Sequence, residues 1–307
     1  ELTIEVSKNE NQYINQTITN IYKDKQGRTV MSEVVDGTIS HRSLWIYDIF
    51  DNICCIIPPM AETPDQLLDI EYCYYYKYDD PKQRMTEKKI PGSGSQYFIY
   101  DKRDRLVMSQ DANLLASEHG YKWYLTSYDD RNRKVMFGLY EHNVVWSRQQ
   151  MQDRYNTLPE INEELNNNYN DIYHGYTKNV PIGLSNCCSN EILLVYYYDV
   201  YNFKQDLSFD ESNTLVNISE KIDPPHTQSL ITGTKVRVLN PESTIMRDWL
   251  LNAIYYNKKE RPIQTVANNQ LIDSRSVISS KYTFLGSIDQ QNTLYYSNIA
   301  NPAIYSF

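Results

Sequence analysis

The hydrophobic pattern of the chain has a period of two for most of its length. Leu2, Ile4 and Val6 alternate with Thr3, Glu5 and Ser7, which predicts an opening strand. Residues 29–35, 97–100, 106–108, 135–140 and 234–239 are rich in β-branched, aromatic and aliphatic types that suit a pleated sheet. Residues 72–78 place Tyr on both faces of one predicted strand, and residues 192–199 are almost wholly apolar and aromatic. The rhythm changes once. Ser147 and Gln150 resemble a capping box, and Met151, Tyr155 and Leu158 follow at helical spacing. Pro159 then opens a second short piece carrying Ile161 and Leu165. This predicts one or two short helices over 147–165, with a further helical turn at 63–68.

Between the strands one turn unit recurs. Its clearest copy runs Tyr100-Asp101-Lys102-Arg103-Asp104-Arg105. Asp101 can accept a hydrogen bond from the backbone two residues on, and Asp104 stands where a type I turn followed by a bulge needs a left-handed residue. The unit is Tyr-Asp-x-x-(Gly/Asn/Asp)-Arg. Other copies carry Asp24, Gly27 and Arg28; Asp48; Asp80 and Arg84, with one extra residue; and Asp129, Asn132 and Arg133. Weaker copies carry Asp199 and Asn202, then Asn257 and Arg261. Seven copies, at irregular spacings of roughly 20 to 70 residues, mark a repeat architecture. The fold expected is all-β: consecutive antiparallel hairpins in a curved, twisted sheet or partial shell, with a short helical insert. Each Arg can meet the Asp of its own or a neighbouring turn.

This unit resembles the YD repeats of the Rhs family, in particular the long Rhs-like exported proteins of Bacteroides and its relatives. The stretches that carry the resemblance are 22–35, 47–60, 74–92, 97–113, 122–138, 232–239 and 282–286. The resemblance implies a spiralling β-sheet that can close into a hollow shell. It implies as partners the other modules of an Rhs-like protein and an enclosed toxin domain. It implies export, to the cell surface, the periplasm or the medium. The chain departs from complete members in having no Asp-Pro-x-x-Gly self-cleavage segment and no core or toxin domain. It begins at Glu1, which is read as a processed or trimmed product.

Composition narrows the function. Tyr is unusually frequent, 28 against 7 Phe, which suits a sheet whose rings pack while their hydroxyls reach polar groups. The net charge of −9 argues against nucleic acid as a partner. No apolar run reaches the ~18 residues of a membrane span. Cys54, Cys55, Cys73, Cys187 and Cys188 show no Cys-x-x-Cys spacing and read as buried free thiols. His41, His119, His142, His174 and His226 lack metal-ligand spacing, and most read as solvated loop residues. Neither a nucleophile elbow nor a phosphate loop is present. The expectation is therefore no catalytic residue, no metal and no cofactor.

Three segments are expected: a first repeat block over 1–146, a helical and loop insert over 147–190, and a second repeat block over 191–307, the blocks able to form one continuous sheet. The leading functional expectation is a non-catalytic scaffold or binding segment. The alternative is a carbohydrate-binding surface module that stacks sugars on an aromatic strip of Tyr72, Tyr74, Tyr76, Trp123, Tyr196 and Tyr198. A glycan-active enzyme comes third. The terminal strands, near 2–6 and 299–307, are expected to tuck onto the sheet or to pair with another copy or a neighbouring module, because bare strand edges are a liability.

Overall fold

The computed structural model describes residues 3–9, 17–61, 70–116, 122–141, 144–166, 168–169, 173–177, 179, 189–239, 248–270, 274–297 and 300–306. The helical turn expected at 63–68, and Cys187, Cys188, His119 and His142, lie outside these residues. The protein is all-β with short helices, and its paired strands are antiparallel. It divides into two compact units, residues 1–123 with 144–157, and residues 124–143 with 158–307.

The first unit is a meander. Its strands are β1 (Thr3–Asn9), β2 (Thr17–Lys23), β3 (Thr29–Asp36), β4 (Ile39–Tyr47), β5 (Ile53–Ile57), β6 (Tyr74–Tyr78), β7 (Met85–Ile90), β8 (Gly94–Tyr100) and β9 (Leu106–Gln110). Each pairs with the next in sequence. A short helix α1 (Ala112–Ala116) follows, begun by Asp111, whose carboxylate accepts from the Leu114 N–H. Helix α2 (Arg148–Thr157) also packs in this unit, against β8. Its capping pair is reciprocal: Gln150 N–H donates to Ser147 Oγ at 3.3 Å and Ser147 N–H donates to Gln150 Oε1 at 2.9 Å. Met151 and Tyr155, one helical turn apart, supply its buried stripe.

Helix α2 also repairs a defect in β8. The β8–β9 register shifts at Ile99/Tyr100. The Gln152 amide meets the exposed backbone there, accepting from Tyr100 N–H at 3.0 Å and donating to Tyr100 C=O at 2.7 Å. Arg148 Nε donates to Phe98 C=O at 3.1 Å. The helix thereby gives these backbone groups side-chain partners.

The second unit contains most of β10 (Lys122–Tyr128), then β11 (Lys134–Glu141), β12 (Ser189–Tyr198), β13 (Ile231–Arg237), β14 (Trp249–Tyr256), β15 (Pro262–Asn268), β16 (Ser274–Tyr282), β17 (Ile288–Ser297) and β18 (Ala300–Ser306). From β11 onward each strand pairs with its successor. Its core gathers Val135, Val195, Tyr197, Phe203, Tyr255 and Val277, all nearly fully buried. Residues 199–230 leave the sheet and fold back over this face. Phe203 stacks on Tyr197 at 4.1 Å between ring centroids, and Tyr201 stacks on Tyr255 at 4.8 Å. Gly233 makes this approach possible, because a Cβ there would lie 2.3 Å from both the Asn252 carbonyl and the Phe203 ring.

Several expectations change. The two units differ from the three segments 1–146, 147–190 and 191–307, because α2 packs on β8 while the β10–β11 hairpin packs with the later strands. Residues 158–165 are not helical. Glu163 N–H donates to Tyr128 C=O at 2.8 Å, and Leu165 bridges Tyr176. The strand expected from Tyr72 begins at Tyr74, Tyr72 belonging to a 3-10 turn. The terminal strands are paired, β1 with β2 and β18 with β17.

Candidate functional site

The turn side chains form the most regular feature of the molecule. In the hairpins at Asp24, Asp48, Asp101 and Asp129, the Asp C=O accepts from the N–H of the residue three on, and the Asp N–H donates to the C=O of the residue four on. The third residue is left-handed in each: Gly27 (φ 82°), Asp51 (68°), Asp104 (61°) and Asn132 (63°). The pairing register slips by one residue just before the turn, between Tyr22 and Lys23, between Ile46 and Tyr47, and between Ile99 and Tyr100. This is a turn followed by a bulge. The Asp carboxylate accepts the N–H of the return residue with one oxygen and, where that residue is Arg, its guanidinium with the other. The Nε–Oδ2 distances are 2.7 Å at Arg28, 2.7 Å at Arg105 and 2.6 Å at Arg133.

Consecutive turns are then joined. Arg28 reaches the carboxylate of Asp51, the left-handed residue of the next turn. Asn52, standing where Arg stands elsewhere, donates to Gln83 at 2.7 Å. Arg84 reaches Asp104 at 2.8 Å. The Tyr that opens a turn completes the joint. Its hydroxyl donates to the C=O just beyond the preceding Arg or Asn: Tyr47 to Thr29, Tyr78 to Ile53, Tyr100 to Met85 and Tyr282 to Pro262. Its ring lies under the Arg, at 4.8 Å for Arg28 over Tyr47 and for Arg84 over Tyr100. Burial raises the pKa of the Tyr78 and Tyr100 hydroxyls, so they stay protonated donors.

Two predicted turn residues are corrected. Asp79, not Asp80, holds Arg84: its Oδ1 accepts from Arg84 N–H at 2.8 Å and its Oδ2 pairs with the guanidinium at 2.5 Å. The extra residue in this turn moves the bulge, and Gln83 takes the left-handed place. Asn202 does not complete the repeat turn opened by Asp199. It sits exposed in a 3-10 turn, because the turn opened by Asp199 is split. Asp199 N–H donates to Leu230 C=O, and Ser229 N–H donates to the Asp199 carboxylate at 2.6 Å. The covering loop is inserted inside one repeat turn. Arg133 still reaches Asp199, and Tyr198 still donates to Lys134 C=O. Tyr282 to Ser287 forms a further turn of the series, with Gly286 at φ 99°.

The predicted aromatic strip falls in both units. In the first, Tyr72 is exposed, and Tyr74 and Tyr76 are half-buried on one face of β6. Trp123 is 1% exposed and has no surface to offer a sugar. In the second, Tyr196 and Tyr198 are half-buried, and the Tyr198 ring and hydroxyl are already engaged by Arg133 and Lys134. His174 is buried rather than solvated, edge-on to Trp249 and within 2.9 Å of Lys235 Nζ. Cys54, Cys55 and Cys73 are free, and burial pushes the Cys55 thiol up to about 11.

The first unit has a cleft of about 760 Å³ between α2 and strands β6 to β8. Of its acids, Asp79 and Glu87 are held by cations, Arg84 at 2.5 Å and Lys77 at 2.8 Å, and Asp80 is exposed. Burial lowers the pKa of Arg148 in the same wall. Among the described residues no cluster of His, Cys, Asp and Glu has the arrangement of a metal centre. Nor is any described helix long and apolar enough to cross a membrane.

No family model matches the chain, and no curated protein matches its sequence. Solved structures do. The crystal structure of TcdB2-TccC3-Cdc42 aligns with a TM-score of 0.46 and 9% identity over 94% of this chain and 12% of that one. The structure of a mutated Photorhabdus luminescens Tc holotoxin pore aligns with a TM-score of 0.34 and 10% identity, over 94% and 15%. The crystal structure of TcdB2-TccC3-TEV aligns with a TM-score of 0.32 and 10% identity, also over 94% and 15%. The protein is thus similar to one part of each of these chains and spans 12% to 15% of their length.

Proposed function

We propose that this chain is a non-catalytic scaffold segment of an exported Rhs-like repeat protein, a stretch of wall that holds a partner or toxin module. The observation that carries this reading is the joining of consecutive turns. Asp, Arg, Tyr and the left-handed residue of successive hairpins are consumed by one another, as at Arg84, Asp79, Asp104 and Tyr100. Such a ladder specifies how each hairpin docks on the next. It gives a repeat protein a defined path and occupies the turn carboxylates. Of the residues expected to stack on sugars, Tyr74, Tyr76, Tyr196 and Tyr198 are half-buried, Trp123 is enclosed, and Tyr72 is exposed.

The test has two arms. Purified protein incubated with a panel of glycans should release no product. Expressed together with the segments that flank it in its own gene, it should protect a neighbouring module from protease, and that module should be digested when expressed without it. Turnover of any glycan, or equal digestion with and without this chain, overturns the proposal.

A further inference from the structure

The turn at Asn257 departs from its fellows. Asn257 keeps the turn hydrogen bonds: its Oδ1 accepts from Lys259 N–H and Arg261 N–H, both at 3.0 Å. It brings no charge. At Arg28, Arg84, Arg105 and Arg133 the guanidinium lies against its own turn carboxylate. Arg261 meets two carbonyls, Thr283 at 3.0 Å and Phe284 at 3.5 Å, and lies 5.8 Å from the centre of the Tyr282 ring. Among the described residues no carboxylate pairs with Arg261, Lys258 or Lys259.

These three cations line a cleft of about 440 Å³ in the second unit. Lys281 lines it too, paired with Asp289 at 3.2 Å; among the described residues Glu220 is the carboxylate in its wall, and the exposed Glu260 stands between Lys259 and Arg261. In a chain of net charge −9 this is a local reversal of sign. Beside it stands the β16–β17 turn, whose tip is Phe284 and Leu285, 86% and 88% exposed. Comparable tips carry polar pairs, Lys25-Gln26, Lys102-Arg103 and Asp130-Arg131. The Ile49-Phe50 tip of the first unit is also apolar, but Asp48 and Asp51 flank it. Only at Phe284 do apolar tip and unpaired cations coincide among these turns, and Lys259 Nζ lies 4.8 Å from the Phe284 ring centre.

We propose that this turn cluster docks on an anionic lipid surface. Lys258, Lys259 and Arg261 take the phosphate oxygens of headgroups, and Phe284 and Leu285 enter the interface below them. Cations near an anionic leaflet and apolar side chains at its boundary attract in concert. A soluble phosphate or sulfate would use the cations and leave Phe284 and Leu285 without a role, so a lipid accounts for both observations.

The test is co-sedimentation of the full chain with phosphatidylglycerol-containing vesicles and with phosphatidylcholine vesicles. Binding should be confined to the anionic vesicles and should weaken as salt rises. Lys258→Gln and Lys259→Gln should each weaken it about fivefold. Phe284→Ser with Leu285→Ser should weaken it while leaving the salt dependence in place. Exposed turn residues are substituted, so the far-ultraviolet spectrum should not change. Equal binding to both vesicle types, no binding, or insensitivity to the Phe284 and Leu285 changes overturns the proposal. A second arm titrates inorganic phosphate: saturable binding at the cations without vesicle binding assigns the cleft to a soluble oxyanion and overturns the lipid docking.

Discussion

Arg133 and Asp199 are 66 residues apart in sequence and are joined by two parallel hydrogen bonds, at 2.9 and 3.0 Å. The same guanidinium binds Asp129 at 2.6 Å through Nε and lies 4.3 Å from the centre of the Tyr198 ring. One cation thus closes its own turn and fastens the next. Arg133→Ala leaves two partly buried carboxylates without their shared partner, which costs about 3 kcal/mol. Arg133→Lys should recover little, since a point charge cannot serve two carboxylates and a ring in fixed geometry. Arg28→Ala should cost less, because the second carboxylate it serves, Asp51, is 67% exposed. Urea unfolding of the three variants checks this. Equal losses at Arg133 and Arg28 would show that the joints do not depend on burial.

Acid should loosen the ladder before neutral or basic conditions do. Burial works to raise the Asp79 carboxyl, but hydrogen bonds from the Arg84 side chain and backbone outweigh it and hold its pKa below 3.8. At Asp199 burial is likewise outweighed by Arg133 and by the Ser229 N–H. Glu33 is brought to about 2 by Ser40, Arg42 and Asn20. For each, the unfolded state binds more protons, so stability rises with pH through this range. The contribution is present above the unfolded value and is lost as pH falls through the folded value. Melting temperature should therefore fall steeply below pH 3.8. The Asp79→Asn variant should show a shallower fall, and an unchanged acid limb would dissociate the turn carboxylates from acid stability.

The features read correctly from the sequence are those set by neighbours along the chain. Asp101 and Asp104 identify their hairpin because an Asx turn and a left-handed residue are local requirements. The misreadings share the opposite cause. Asp79 rather than Asp80 holds Arg84, because an extra turn residue shifts the bulge without altering the motif's appearance. Asn202 was placed in a turn that is completed by Ser229 and Leu230, across an insertion no local pattern reveals. Trp123 fits a half-exposed strand by period alone, and only packing determines that it is enclosed. The contacts from Arg28 to Asp51 and from Arg84 to Asp104 fall within the expectation that each Arg can meet a neighbouring turn. Which neighbouring atom it meets depends on hairpin docking, and the uneven repeat spacing conceals that.

Gly233 tests whether the covering loop is part of the core. It lies on β13 opposite Ala253, at the point where Phe203 presses on the sheet. Gly233→Ala must displace either the Asn252 carbonyl or the Phe203 ring, each 2.3 Å from the new Cβ. Overpacking of this kind costs about 1–3 kcal/mol. Phe203→Leu in the same chain should recover part of the loss by making room. Calorimetry of the single and double variants distinguishes the outcomes. Additive losses would mean that the backbone carbonyl, and not the ring, bears the strain.

Glu163 governs the opposite limb of the pH curve. It is 2% exposed, its Oε2 accepts from Thr177 Oγ1 at 2.9 Å and Asn179 N–H at 3.0 Å, and its Oε1 is buried without a hydrogen bond. Burial raises its pKa above 4.5, and the two hydrogen bonds only partly oppose this. Here the folded state binds the proton more tightly than the unfolded state, so the sign reverses. Stability is fully present below the unfolded value and is lost as pH rises through the folded value. In Glu163→Gln the amide oxygen can accept the same two hydrogen bonds, and the position no longer titrates. The variant should match the parent near pH 4.5 and exceed it in urea midpoint at pH 8. A variant less stable than the parent at pH 8 would show that the ionised carboxylate is favoured where it lies, and that the segment from 163 to 179 is held by charge.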